Sequence, residues 1–238
     1  MQWLPFGSET QARGLLRLLF LRHSPVPTDP SRRQLLLTAL IDRINSLFRR
    51  IPTWAVYIVG ALPAPYLLYL GLTGGLGVEP IKELEQELGE LGLKFLVFGL
   101  TITPLRRYVG LNLLKFRRVV GLLTFYYISL HLLVWLVLDV QILSQIWADI
   151  VKRPYVTIGM AAFVLMIPLA ITSNNWSVRK LGPKWRVLHR LVYVIAILGC
   201  VHFIWLVKGF QIEPFVYLAV VLVLLALRVP KRRKSAAA

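Results

Sequence analysis

The stretch LGPKWRVLHRLVYVIAILGCVHFIWLVK covers residues 181–208 and decides the fold class. From Val187 to Val207 it is an almost unbroken apolar run, long enough for one helix to cross the ~30 Å hydrocarbon core of a bilayer, which takes about 20 residues. Two histidines interrupt it, His189 and His202. An ionisable side chain in hydrocarbon is costly and asks for a partner.

Five more apolar segments accompany this one, at approximately 54–72, 93–108, 119–138, 155–172 and 214–229. With 57% hydrophobic and 16% charged residues in 238, the chain reads as a polytopic membrane protein. Its mean hydropathy of +0.65 agrees. The expected fold is an all-α bundle of six transmembrane helices. Pro63, Pro65, Pro104 and Pro168 lie in or near the ends of spans, where neighbouring helices can satisfy carbonyls freed by a kink.

The net charge of +17 invites a nucleic-acid reading, but placement argues against it. Arg49 and Arg50 precede the first span. Arg106, Arg107, Lys115, Arg117 and Arg118 lie between the second and third. Arg179, Lys180, Lys184 and Arg186 lie between the fourth and fifth, and Lys231, Arg232, Arg233 and Lys234 follow the sixth. The alternate loops are poorer in cations, and the first carries Glu79, Glu83, Glu85, Glu87 and Glu90. Cytoplasmic loops concentrate Lys and Arg, so both termini are expected in the cytoplasm.

Three regions follow from this pattern. Residues 1–50 form a basic N-terminal extension, 51–230 the helical membrane domain and 231–238 a basic tail. Within the extension, 14–22 is too short to span and lacks a small-residue cleavage site. Residues 23–33, with His23, are rich in Pro, Ser and Arg and read as a linker. Residues 34–50 alternate apolar and basic positions at helical spacing, as a helix lying on anionic lipid does.

The third span contains one more histidine, His131. It lies twelve residues past Val119, at roughly 18 Å of rise, beyond the midplane. The fifth span runs in the same direction, and His202 lies in its outer half, so the two meet at one depth. His189 lies thirteen residues before His202, roughly 20 Å lower. At 3.6 residues per turn these two side chains do not share a face unless the helix is broken or the ligands serve different sites. Neutral imidazole is the usual axial ligand of haem iron. Paired histidines in a helical bundle therefore point to haem held between the third and fifth helices by His131 and His202. His189 is left for a second haem or an inner cofactor site. The single cysteine, Cys200, sits in an apolar run and no CxxCH is present, so no thioether attachment is possible.

Arg117 and Arg118 invite two readings, positive-inside topology or a grip on a haem propionate or flavin phosphate. Trp185, Tyr126, Tyr127, Tyr193 and Trp205 read as interface anchors or packing, with the lining of a quinone or flavin pocket as the other reading. Ser173, Asn174 and Asn175 read as residues at a helix end.

The runs 77–108, 116–132, 152–159 and 181–208 together carry a resemblance. The combination of TITPLRR, RRVVG with the LH pair ending at His131, RPYVTIG, and LGPKW leading to LHRLVY and HFIWLVK resembles the MsrQ family. These are the haem-binding membrane subunits of the periplasmic methionine sulfoxide reductase system, within the ferric reductase-like transmembrane group that also holds the NADPH oxidases. The resemblance covers about residues 54–230. It implies a six-helix bundle in the bacterial inner membrane binding haem b, one or two, through His131, His202 and His189. It implies electrons from the quinone pool, or from a cytoplasmic flavin reductase through FMN. The implied acceptor is a periplasmic molybdopterin-dependent catalytic subunit that reduces methionine sulfoxide in oxidised proteins. The oxidase relatives carry a further histidine upstream on the third helix, and here that place falls near Arg117 and Arg118.

No GxGxxG motif or P-loop is present and no soluble domain is long enough for a nicotinamide site, so the chain reads as a conduit requiring a donor and an acceptor. Two rivals stand beside this reading. One is a self-contained metalloreductase acting on ferric or cupric ions at the outer face. The other is a transporter or assembly factor whose histidines move protons.

Overall fold

The computed structural model describes residues 30–207 and 209–228, and its regular structure there is entirely helical. The apolar run 14–22, His23 and the basic tail from Lys231 lie outside the described residues. The chain divides into two compact units, Met1–Ile44 and Asn45–Ala238. The described part of the first begins helix α1, Pro30–Arg50, so the segment read as linker is already helical from residue 30. Leu35, Leu36, Leu37 and Leu40 are exposed on it, as a lipid-lying helix requires.

In the second unit the first span is two short helices, α2 (Thr53–Ala61) and α3 (Pro63–Leu72), meeting at Leu62. Helix α4 runs Pro80–Pro104 and passes into a π turn, Leu105–Val109, closed by Gly110 in the left-handed region at φ 85°. Helix α5 (Arg117–Val134) likewise ends in a π segment, Trp135–Val140. A ten-residue amphipathic helix, α6 (Leu143–Lys152), leads to α7 (Pro154–Ile171). The fifth span begins after the short α8 (Asn175–Leu181) as α9 (Pro183–Leu188) and continues as α10 (Leu191–Leu206). Helix α11 covers Glu213–Ala226. Proline opens α3, α4, α7 and α9, where its missing N–H costs nothing. The side chain of Asn174 caps α8 by accepting from the Ser177 N–H at 2.7 Å.

Two expectations are adjusted. Among the described residues five helical segments are long and apolar enough to cross a membrane, and α11 is a shorter apolar helix of 14 residues. The second span begins at Pro80, because Leu84, Leu88 and Leu93 give the acidic stretch a buried helical face. The loop expected over 73–92 is therefore helical from residue 80 onward.

The core lies between α4, α5, α7, α10 and α11, around Leu96, Leu100, Met166, Ile195, Cys200 and Val221. Apolar side chains such as Leu68, Val164, Val194 and Val223 face outward, the inversion that lipid rather than water demands.

Candidate cofactor site

His131 stands on α5 and His202 on α10, and the fold brings them face to edge. Their ring centroids are 6.2 Å apart and their planes are inclined at 81°. Each ring is anchored in the same way. His131 Nδ1 lies 2.8 Å from the backbone oxygen of Glu85 on α4. His202 Nδ1 lies 2.8 Å from that of Tyr155 on α7. A carbonyl only accepts, so both Nδ1 atoms donate their proton and both Nε2 atoms keep a lone pair. Two imidazole nitrogens bound at about 2 Å on opposite sides of one metal ion place ring centroids about 6 Å apart. The pair fits a bis-imidazole iron, and the tautomer on each ring is the ligating one.

His189 is elsewhere and presented differently. It sits at the break between α9 and α10, one of the two arrangements that the thirteen-residue spacing left open. Its Nε2 lies 3.1 Å from the Thr172 hydroxyl, which itself donates to the Pro168 carbonyl at 2.6 Å. The hydroxyl proton being engaged, His189 donates from Nε2 and its lone pair is on Nδ1. The Trp185 ring stacks on it at 3.9 Å, and the Trp185 indole N–H donates to the Thr172 carbonyl at 2.9 Å.

This network borders a cavity of about 270 Å³. His189, Trp185, Arg117, Arg118 and Arg228 line it, and among the described residues no carboxylate does. Arg118 donates to the Asn175 side chain at 2.7 Å. Arg228 reaches the Leu100 carbonyl at 2.7 Å and the Tyr193 hydroxyl at 3.3 Å, while its Nε is buried with no partner among the described residues. An orphaned guanidinium donor beside two further arginines suits an anionic group.

The sequence reading pairs His131 with His202 and sets His189 apart, as the structure does. It misses Arg228, which reads in the sequence as one more cation before the basic tail. It also misses the backbone carbonyls of Glu85 and Tyr155, which no side-chain pattern reveals. Of the five aromatics, Trp185 lines the cavity. Tyr127 is fully buried and donates to the Gly60 carbonyl at 2.7 Å, and Trp205 is exposed.

The family described as ferric reductase like transmembrane component matches residues 88–200, which include His131 and His189 and stop two residues short of His202. A protein-methionine-sulfoxide reductase heme-binding subunit MsrQ of Rhizobium meliloti (strain 1021) is 52% identical over 181 residues, 76% of this chain and 84% of the relative. The chain belongs to the MsrQ family. Further MsrQ proteins agree. That of Agrobacterium fabrum (strain C58) is 47% identical over 176 residues, 74% of this chain and 82% of its own. That of Brucella anthropi is 48% identical over 176 residues, 74% and 80%. No solved structure matches the chain. The MsrQ likeness covers about three quarters of the chain, so it extends well beyond the 88–200 segment alone.

Proposed function

We propose that this MsrQ-family chain is a haem b electron-transfer subunit of a protein-methionine-sulfoxide reductase system, with His131 and His202 as the axial ligands of one haem. One observation carries the reading: two half-buried histidines, each with Nδ1 spent on a carbonyl and Nε2 free, at the ring separation one iron sets. When bound, haem iron supplies one-electron transfer. The protein's part is to fix the two ligand planes, exclude water and set the potential through ligand identity and burial.

The arginine-lined cavity at His189 is the inner cofactor site, where electrons enter. Its three guanidinium groups suit a haem propionate or the phosphate of FMN, Arg117 and Arg118 as read from the sequence and Arg228 with them. The donor is the quinone pool, or a cytoplasmic flavin reductase acting through FMN. The acceptor is a periplasmic molybdopterin-dependent catalytic subunit. The membrane is the bacterial inner membrane, with both termini in the cytoplasm as the basic loops direct.

The test is haem quantitation per polypeptide with reduced-minus-oxidised spectra on wild type, His131→Ala, His202→Ala and His189→Ala. Loss of the same haem from each of the first two variants is expected, with that haem retained in the third. Wild-type haem content in both His131→Ala and His202→Ala would sink the assignment. Reduction of ferric chelate by the isolated, reduced chain at the rate seen with its acceptor would favour the metalloreductase reading instead.

A further inference from the structure

The two anchored histidines share a feature that haem ligation alone does not require. The carbonyl that holds His131 belongs to Glu85, and one turn further along α4 is Gly89. The carbonyl that holds His202 belongs to Tyr155, and one turn further along α7 is Gly159. A Cβ on Gly89 would lie 3.0 Å from His131 Nδ1 and 3.3 Å from its Cε1. A Cβ on Gly159 would lie 2.9 and 3.0 Å from the same atoms of His202. Residues four apart share one face of a helix, so each carbonyl and its glycine form a single seat. The ring rests edge-on against bare backbone, and only there does Nδ1 reach the oxygen.

The same arrangement occurs twice, on two different helices, against two different ligands. Imidazole is rigid, so a methyl group at either seat cannot be absorbed by a rotamer of a flexible chain end. It must shift the ring by a few tenths of an ångström against its carbonyl, straining or lengthening the Nδ1–H bond. A ligating histidine whose Nδ1–H bond is weakened becomes a weaker donor to the metal, and its ring plane is less firmly fixed.

We propose that Gly89 and Gly159 are positioning residues, each completing with the Glu85 or Tyr155 carbonyl a backbone seat that sets the tautomer, plane and donor strength of its histidine. The inference rests on His131 and His202 being haem ligands. It gives these glycines a role in tuning the haem that close helix packing does not include.

The test uses full-length protein in lipid nanodiscs, with Gly89→Ala, Gly159→Ala and, as a control, Gly199→Ala. Gly199 lies on the helix of His202, but a Cβ there would only touch Leu93 at 3.9 Å. The readouts are the haem midpoint potential, the low-spin ferric electron paramagnetic resonance signal and haem retention on dilution. The seat variants are expected to raise the potential, change the signal that reports the angle between ring planes and weaken haem retention roughly 10–100-fold. The control is expected to match wild type. Should a seat variant fail to insert, wild type labelled with ¹⁵N-histidine gives a second reading by electron–nuclear double resonance. Both Nδ1 protons are expected to be hydrogen-bonded and slow to exchange in ²H₂O. Wild-type potential and signal in both seat variants, or freely exchanging Nδ1 protons, would overturn the proposal while leaving bis-histidine ligation standing. Wild type without haem, or with haem unaffected by His131→Ala and His202→Ala, would instead sink the ligand assignment.

Discussion

A histidine offers a metal one lone pair, and the partner of its other nitrogen decides which nitrogen carries it. At His131 and His202 a backbone carbonyl leaves it on Nε2, and at His189 the Thr172 hydroxyl leaves it on Nδ1. Thr172→Val removes that acceptor. The expected outcome is an altered inner site with the outer haem spectrum unchanged, read by optical difference spectra. Tyr127 is a purely structural case. Its buried hydroxyl donates to the Gly60 carbonyl, so Tyr127→Phe leaves that oxygen unpaired. The expected cost is about 1 kcal/mol, seen as a lower Tm with haem content unchanged. Depth along two parallel spans made the pairing of His131 and His202 legible in the sequence. The seats were not legible, because a carbonyl belongs to every residue and only the fold says which one a ring meets.

At the scale of elements, glycines set the approach of α4 to α5. Gly89 faces His131, Gly92 faces Ile128 and Gly99 faces Val120, so the register descends along α5 as it ascends along α4. This is the antiparallel pairing of neighbouring spans, with small residues where the backbones come close. A Cβ on Gly92 would overlap the Ile128 side chain, whose end can rotate away, whereas the imidazole facing Gly89 cannot. Gly92→Ala is therefore expected to cost about 1 kcal/mol of stability and no haem, as measured by thermal unfolding with the Soret band as reporter. The fifth span shows how far periodicity carries. Thirteen residues separate His189 from His202, a spacing that called either for a broken helix or for ligands serving different sites. The break's place at the α9–α10 junction follows from a backbone in which Leu191 begins a fresh helix.

The second unit is a membrane bundle whose sixth apolar segment is its shortest. Helix α11 has 14 residues, roughly 21 Å of rise against a core of ~30 Å. It lies against α4 and α10, reaching from Tyr217, which donates to Glu90 at 3.3 Å, to Arg228, which holds the Leu100 carbonyl. Six crossings place the C-terminus in the cytoplasm and five place it outside. A fluorescent protein fused after Ala238 is expected to fluoresce and a phosphatase fused there to be inactive. Apolar composition made the membrane class legible. The short sixth helix was less so, because an apolar run does not say where a helix stops.

The most direct measurement is the low-spin electron paramagnetic resonance spectrum of the oxidised, purified protein, quantified per polypeptide. The expected signal is that of a bis-imidazole haem with strongly inclined ligand planes, in keeping with the 81° between His131 and His202, and it disappears when either histidine becomes alanine. A high-spin haem, a thiolate-ligated one through Cys200, or a bis-imidazole signal that survives both substitutions would contradict it.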